Sequence, residues 1–257
     1  MDKNPSQSEF CGMFKAKPGL LYQTLQAPST LMRETFRLFY PRTCPGCNRI
    51  LEEAESWICL ECTMCLPYTG FNIRKEQAAH RIFAGRVPLQ HAGSYLYFRE
   101  GGVTRQILHA IKYQGQSRLA ERLGFLYATE LASLMQPPAL LLPVPMHPGK
   151  QRLRGYNQAE KIARGMALAW GSRLETKWLK KTRTTVSQTK GSRISRWINV
   201  GTRFEAEVPV EARSRHIALV DDVLTTGATL EACLQTLVQN GCKTLSIFTL
   251  AITETGK

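Results

Sequence analysis

At 257 residues, 43% of them hydrophobic, the chain suits one sizeable α/β domain plus a small module, and is too apolar for wholesale disorder. Its longest apolar run, residues 139–146 with two prolines inside, is far short of the ~20 residues of a membrane span. No basic-then-apolar leader opens the chain, so a cytoplasmic protein that is not an integral membrane protein is expected. The net charge of +14 is concentrated: between Lys150 and Arg203 fourteen basic residues stand against two acidic ones, Glu160 and Glu175. Such a surplus attracts phosphate, on a small ligand or along a nucleic acid, or is simply a solvated basic surface.

Residues 1–40 read as an arm leading into a short helix over 31–40, which Pro41 ends. Residues 41–68 form a cysteine-rich module. Cys44-x-x-Cys47, eleven residues and then Cys59-x-x-Cys62 is the spacing of a four-thiolate Zn2+ site, structural because protein fills all four positions. So small a module has no core of its own and depends on the metal. Cys65 is a spare ligand, and a redox pair is disfavoured because neither Cys-x-x-Cys opens a helix after a strand. Residues 69–92 show little periodicity and read as a linker.

The main domain, 93–257, alternates strands and helices. Strands are expected over 94–98, 140–145, 174–180, 217–220 and 245–250. Helices are expected over 103–111, 119–134, 157–170 and 229–240, the last closed by Gly241. Residues 182–201 form a basic polar loop. Strands without a polar face, alternating with helices, imply a parallel sheet covered on both sides. The isolated histidines, His80, His91, His109 and His216, read as surface or satisfied core residues. Trp170, Trp178 and Trp197 lie in the basic stretch and are read mainly as packing residues.

The segment with the sharpest chemistry follows strand 217–220. Asp221 and Asp222 are succeeded by Thr225, Thr226, Gly227, Ala228 and Thr229 at the start of a helix. Free N–H groups and the helix dipole favour a phosphate there, Gly227 lets the backbone approach closely, and the threonines add hydroxyl donors. Two carboxylates beside a phosphate cradle make sense if the ligand is a sugar phosphate, whose ribose hydroxyls donate to them. The alternative is an ordinary strand-to-helix connection with a threonine N-cap.

This segment resembles the motif of type I phosphoribosyltransferases that binds 5-phosphoribosyl diphosphate (PRPP). Pro143-Val144-Pro145-Met146-His147, then Arg154-Gly155-Tyr156-Asn157-Gln158, then Gln188, Arg196, Asn199 and Phe204, together with Ile111-Lys112-Tyr113-Gln114-Gly115 and the cysteine pairs, narrow the resemblance. They point to the ComF family, competence proteins of the ComFC and GntX type, with Gly191 where that family has leucine. The resemblance implies an α/β fold: a type I phosphoribosyltransferase-like parallel sheet flanked by helices, preceded by a zinc-ribbon module. It implies that PRPP is bound with Mg2+, and that His147, Lys150, Arg152, Arg154, Gln188 and Arg196 face the diphosphate or belong to a hood loop. It also implies a role in uptake of transforming single-stranded DNA with the uptake machinery. The alternatives are an active phosphoribosyltransferase on an unidentified base or other nucleophile, and a zinc-ribbon interaction protein that senses PRPP. No catalytic acid or base with a clear partner stands out.

Overall fold

The computed structural model describes residues 41–70, 78–182 and 203–253. The chain divides into two units, Met1–Arg42 and Thr43–Lys257, and the architecture below is that of the second. The helix expected over 31–40, and the basic loop from 183 onward with Gln188, Arg196, Trp197 and Asn199, lie outside the described residues.

In chain order the elements are α1 (Leu60–Met64), α2 (Ala78–Phe83), β1 (His91–Phe98), α3 (Val103–Tyr113), α4 (Ser117–Leu131), β2 (Leu140–Pro143), α5 (Pro148–Arg154), α6 (Gln158–Trp170), β3 (Arg173–Leu174), β4 (Leu179–Thr182), β5 (Arg203–Ala206), β6 (His216–Leu224), α7 (Ala228–Gln239) and β7 (Thr244–Thr253). Five strands make one sheet in the order β1-β7-β6-β2-β3, and every neighbouring pair in it is parallel. β4 and β5 form a separate antiparallel pair.

Two-residue periodicity sorts the strand side chains onto two buried faces. Leu140, Leu142, Ile217, Leu219, Leu245 and Ile247 face one core with Leu230, Cys233, Leu234 and Leu237 of α7. Leu141, Ala218, Val220, Phe248 and Leu250 face the other, against Ile107 and Ile111 of α3, Leu119, Leu123 and Tyr127 of α4, and Ile162 and Met166 of α6. Each such side chain removed from water contributes on the order of 1.5–3 kcal/mol. α4 and α6 meet backbone to backbone: a Cβ on Gly165 would lie 1.8 Å from the Glu121 carbonyl oxygen, and one on Gly124 2.2 Å from that of Ile162.

Several expectations need correction. The stretch read as a linker contains α2, whose Ala79 and Phe83 are buried in the core. Its His80 accepts a hydrogen bond from the Ala92 amide at 3.0 Å, which fastens the helix to β1. His91 and His216 are not isolated: their rings lie 6.1 Å apart and both residues hydrogen-bond to Ser246. Burial, reinforced by His91, holds the His216 imidazole down to about 4, and burial also lowers His91. Trp170 packs on Phe248 with its indole donating to the Ala128 carbonyl, and Trp178 packs on the α7-side core, as expected of packing residues.

Candidate ligand crevice and cysteine cluster

The strand order reverses between β2 and β6. From β2 the sheet continues outward to β3, and from β6 it continues the other way to β7. Chains leaving two adjacent strands in opposite directions open a crevice beyond their carboxyl ends, the usual ligand position in open α/β sheets. Segment 144–147 leaves β2 there and turn 225–227 leaves β6. The two strands stay joined to the rim, where the Val144 amide donates to the Val220 carbonyl at 2.9 Å.

β6 runs further than expected. Asp221 and Asp222 belong to the strand rather than to a loop: Asp221 is in register with Thr249, and pairing continues to Leu224 opposite Ile252. The two carboxylates therefore have different surroundings. Asp222 pairs with Lys112, at the C-terminal end of α3, at 2.8 Å. Asp221 accepts from the Asp222 amide at 2.8 Å. Burial and then the Asp222 charge push its carboxyl up to about 8. The Asp222 amide, Lys112 and Lys181 oppose that rise without cancelling it. Asp221 therefore favours its protonated form near neutral pH.

Beyond the acids, Thr225, Thr226, Ala228 and Thr229 are exposed while Gly227 is buried. Gly227 caps α7 at φ +79, in the left-handed region. A Cβ there would lie 2.6 Å from the Ile82 methyl and 3.0 Å from the Phe83 ring, so α2 presses directly on the turn.

On the β2 side, His147 caps α5, its Nδ1 accepting from the Gly149 amide at 3.1 Å. Lys150, Arg152 and Arg154, expected in a loop, lie on this short helix with Lys150 and Arg152 exposed. Arg154 reaches back to α3, donating to the Tyr113 hydroxyl at 3.3 Å and to Gln158 at 3.2 Å. Tyr156 donates to the Ile111 carbonyl, and Asn157 caps α6 while donating to the Val144 carbonyl. Gln158 is buried, and its Nε2 has no partner among the described residues. These bonds bring the Arg154–Gln158 segment, the Ile111–Tyr113 segment and the end of β2 together at the crevice. Sequence reasoning did not select Lys112 as a site residue.

The sulfurs of Cys44, Cys47, Cys59 and Cys62 lie within 4.8 Å of one another, an arrangement able to hold one metal ion. The first pair sits in a tight turn closed by a bridge between Thr43 and Ile50, with Asn48 at φ 62. Cys59 caps α1, so the second pair does open a short helix, though not after a strand. The Cys47 and Cys59 sulfurs are 3.7 Å apart, close to the roughly 3.8 Å edge of a tetrahedron with metal–sulfur bonds of about 2.3 Å. Burial raises the Cys44 thiol, but backbone amides of Cys59, Gly46 and Cys47 outweigh it and bring it down to about 7. The chemistry of this donor set suits a thiolate-bound cation. Cys65 is exposed and outside the cluster.

No family model matches the chain. Among curated proteins it is 30% identical over 152 residues to the DNA utilization protein YhgH of Escherichia coli O6:H1, covering 57% of this chain and 66% of that protein. It is 29% identical over 151 residues to competence protein F of Haemophilus influenzae, covering 56% and 66%. The chain is thus similar to proteins named for DNA utilization and competence, and the match spans just under two thirds of their length. Among solved structures, a purine phosphoribosyltransferase from Pyrococcus horikoshii aligns over 51% of this chain and 71% of that one, at 17% identity and TM-score 0.32. A glutamine PRPP amidotransferase from Bacillus subtilis aligns over 51% and 25%, at 21% identity and TM-score 0.35. The parallel sheet and its reversal between β2 and β6 are read from this chain's own strand pairing.

Proposed function

We propose that the crevice binds PRPP, and that the protein is a ComF-type, phosphoribosyltransferase-like factor of the cytosol that supports uptake and use of single-stranded DNA. The observation that carries the first part is the acidic pair at the end of β6, immediately before an exposed helix-opening turn, at the point where strand order reverses. In this reading the 5-phosphate takes the amides and hydroxyls of residues 225–229, and the ribose hydroxyls donate to Asp221 and Asp222. Lys112 holds Asp222 in place, and the diphosphate lies toward the α5 side, where Lys150 and Arg152 are exposed. Mg2+ carried by the diphosphate would neutralise its charge. The cysteine cluster holds one structural Zn2+.

Incubating the protein with PRPP and Mg2+, with and without a panel of bases, separates the outcomes. Acceptor-dependent diphosphate release identifies a transferase. Saturable PRPP binding without turnover identifies a sensor, and neither result overturns the assignment.

The DNA role rests on the names of the relatives and on the basic stretch. Part of that stretch is already neutralised: Arg164 pairs with Glu160, Arg173 with Glu175 and Lys180 with Glu207. The best-placed contacts are therefore on α5. Anisotropy of a short labelled strand should show affinity falling with salt, with a log–log slope of ~0.7 per phosphate neutralised. Replacing Lys150 and Arg152 by alanine should flatten it. No binding at low salt removes direct DNA contact from the proposal.

A further inference from the structure

α3 carries a stripe of charged and aromatic side chains opposite its buried face. Residues 105, 109, 112 and 113 follow helical spacing, while Ile107, Leu108 and Ile111 are buried. At its end three planar groups cluster. The His109 and Tyr113 rings lie 4.9 Å apart, and the Arg154 guanidinium sits 5.1 Å from the Tyr113 centroid. Beside them lies a groove of about 410 Å³ whose walls include Phe98, Arg105, Leu108, His109, Lys112 and Tyr113. Among the described residues its lining contains no carboxylate, and every ionisable side chain in it other than the Tyr113 phenol is basic. Arg105 is exposed and has no ion pair among the described residues.

Lys112 belongs to both places. It lines the groove, and its ammonium is 2.8 Å from the Asp222 carboxylate. A ligand in the groove therefore lies one side chain away from the acidic pair of the crevice. Aromatic walls favour a flat ring. Uncompensated guanidinium charge favours a carboxylate, which Arg105 can take in a two-pronged contact. The volume suits a single substituted ring rather than a large cofactor.

We infer that this groove binds a planar, anionic heteroaromatic acid, its ring against Tyr113 and Phe98 and its carboxylate on Arg105. Its role as the second ligand of the crevice rests on the sugar-phosphate reading proposed above; binding of the acid does not.

Calorimetry on the full chain at low salt tests this with nicotinate and orotate as probes. Cyclohexanecarboxylate serves as the non-planar anion and adenine as the uncharged ring, and PRPP with Mg2+ is titrated separately. At least one heteroaromatic acid should bind about tenfold or more tightly than both controls. Tyr113→Ala and Arg105→Ala should each cost about tenfold, while Tyr113→Phe, which keeps the ring, should stay within about threefold of wild type. Equal affinity for the non-planar acid, or indifference to Tyr113→Ala in a folded protein, overturns the inference. So does a short single strand of DNA whose binding depends on Tyr113 while neither acid binds, which would make the groove a nucleic-acid platform. Acid binding with no PRPP binding would sink the crevice reading alone.

Discussion

In the cysteine cluster the donor atoms face one another, and backbone amides of Gly46 and Cys59 point at the Cys44 sulfur at 3.4 Å. At the carboxyl edge of the sheet the arrangement is reversed. The threonines of the turn are exposed, and of two adjacent carboxylates one, Asp222, is paired with Lys112 of α3. A set of groups that satisfies itself around one point suits a resident ion, and its energy goes into holding the chain together. A set whose donors face solvent and whose acids repel each other keeps its interaction energy for an incoming ligand. The difference separates a structural centre from a binding site.

The largest expected effect is on the closed site. Cys59→Ser should lower bound zinc from about one ion per chain to near none, and unfold the cysteine-rich segment at a cost of roughly 3 kcal/mol or more. Metal analysis and near-ultraviolet circular dichroism check this, and full zinc content in the variant would break the contrast.

Next comes the turn. Gly227→Ala should destabilise by about 2–3 kcal/mol, because it combines a left-handed backbone with an overlap against Ile82 and Phe83. Denaturant melts measure it, and a loss below about 0.5 kcal/mol would mean that α2 does not hold the turn.

A third test concerns the acids themselves. Asp221 ionises near 3.8 when unfolded but near 8 when folded. Between those values the folded chain holds a proton that the unfolded chain has lost, so this group's contribution to stability falls as pH rises through the window and then levels off. Asp221→Asn removes that penalty. The variant should melt above the wild type at about pH 8, with the gap closing as pH approaches about 4. A gap independent of pH would show that the carboxyl is not strained by its surroundings.

Much of this was legible in the sequence. Apolar runs located β1, β2, β6 and β7 and the helices α3, α4, α6 and α7, because both faces of the sheet are buried and leave an unmixed pattern. The single strand expected over 174–180 is instead the end of β3 and the start of β4, which belong to different sheets, and α5 was expected to be a loop. The cysteine spacing located the cluster because the site is built from local turns. Three further features were not legible. α2 spans six residues, too few for a helical period to show. The end of β6 was hidden because aspartate disfavours strands, whereas pairing with β7 through Leu224 overrides that preference. Lys112 looks like any surface lysine, since its partner Asp222 lies on a distant strand and only the fold brings them together.

Calorimetric titration of PRPP with Mg2+ into wild type and into the double variant Asp221→Asn with Asp222→Asn tests the central claim most directly. Asparagine keeps the shape and the acceptor for the backbone amide while removing both ionisable carboxyls. Saturable binding to the wild type, weakened by about 2 kcal/mol or more (roughly thirtyfold) in a variant with unchanged circular dichroism, is the predicted result. Equal affinity in the two folded proteins would contradict the assignment of the crevice.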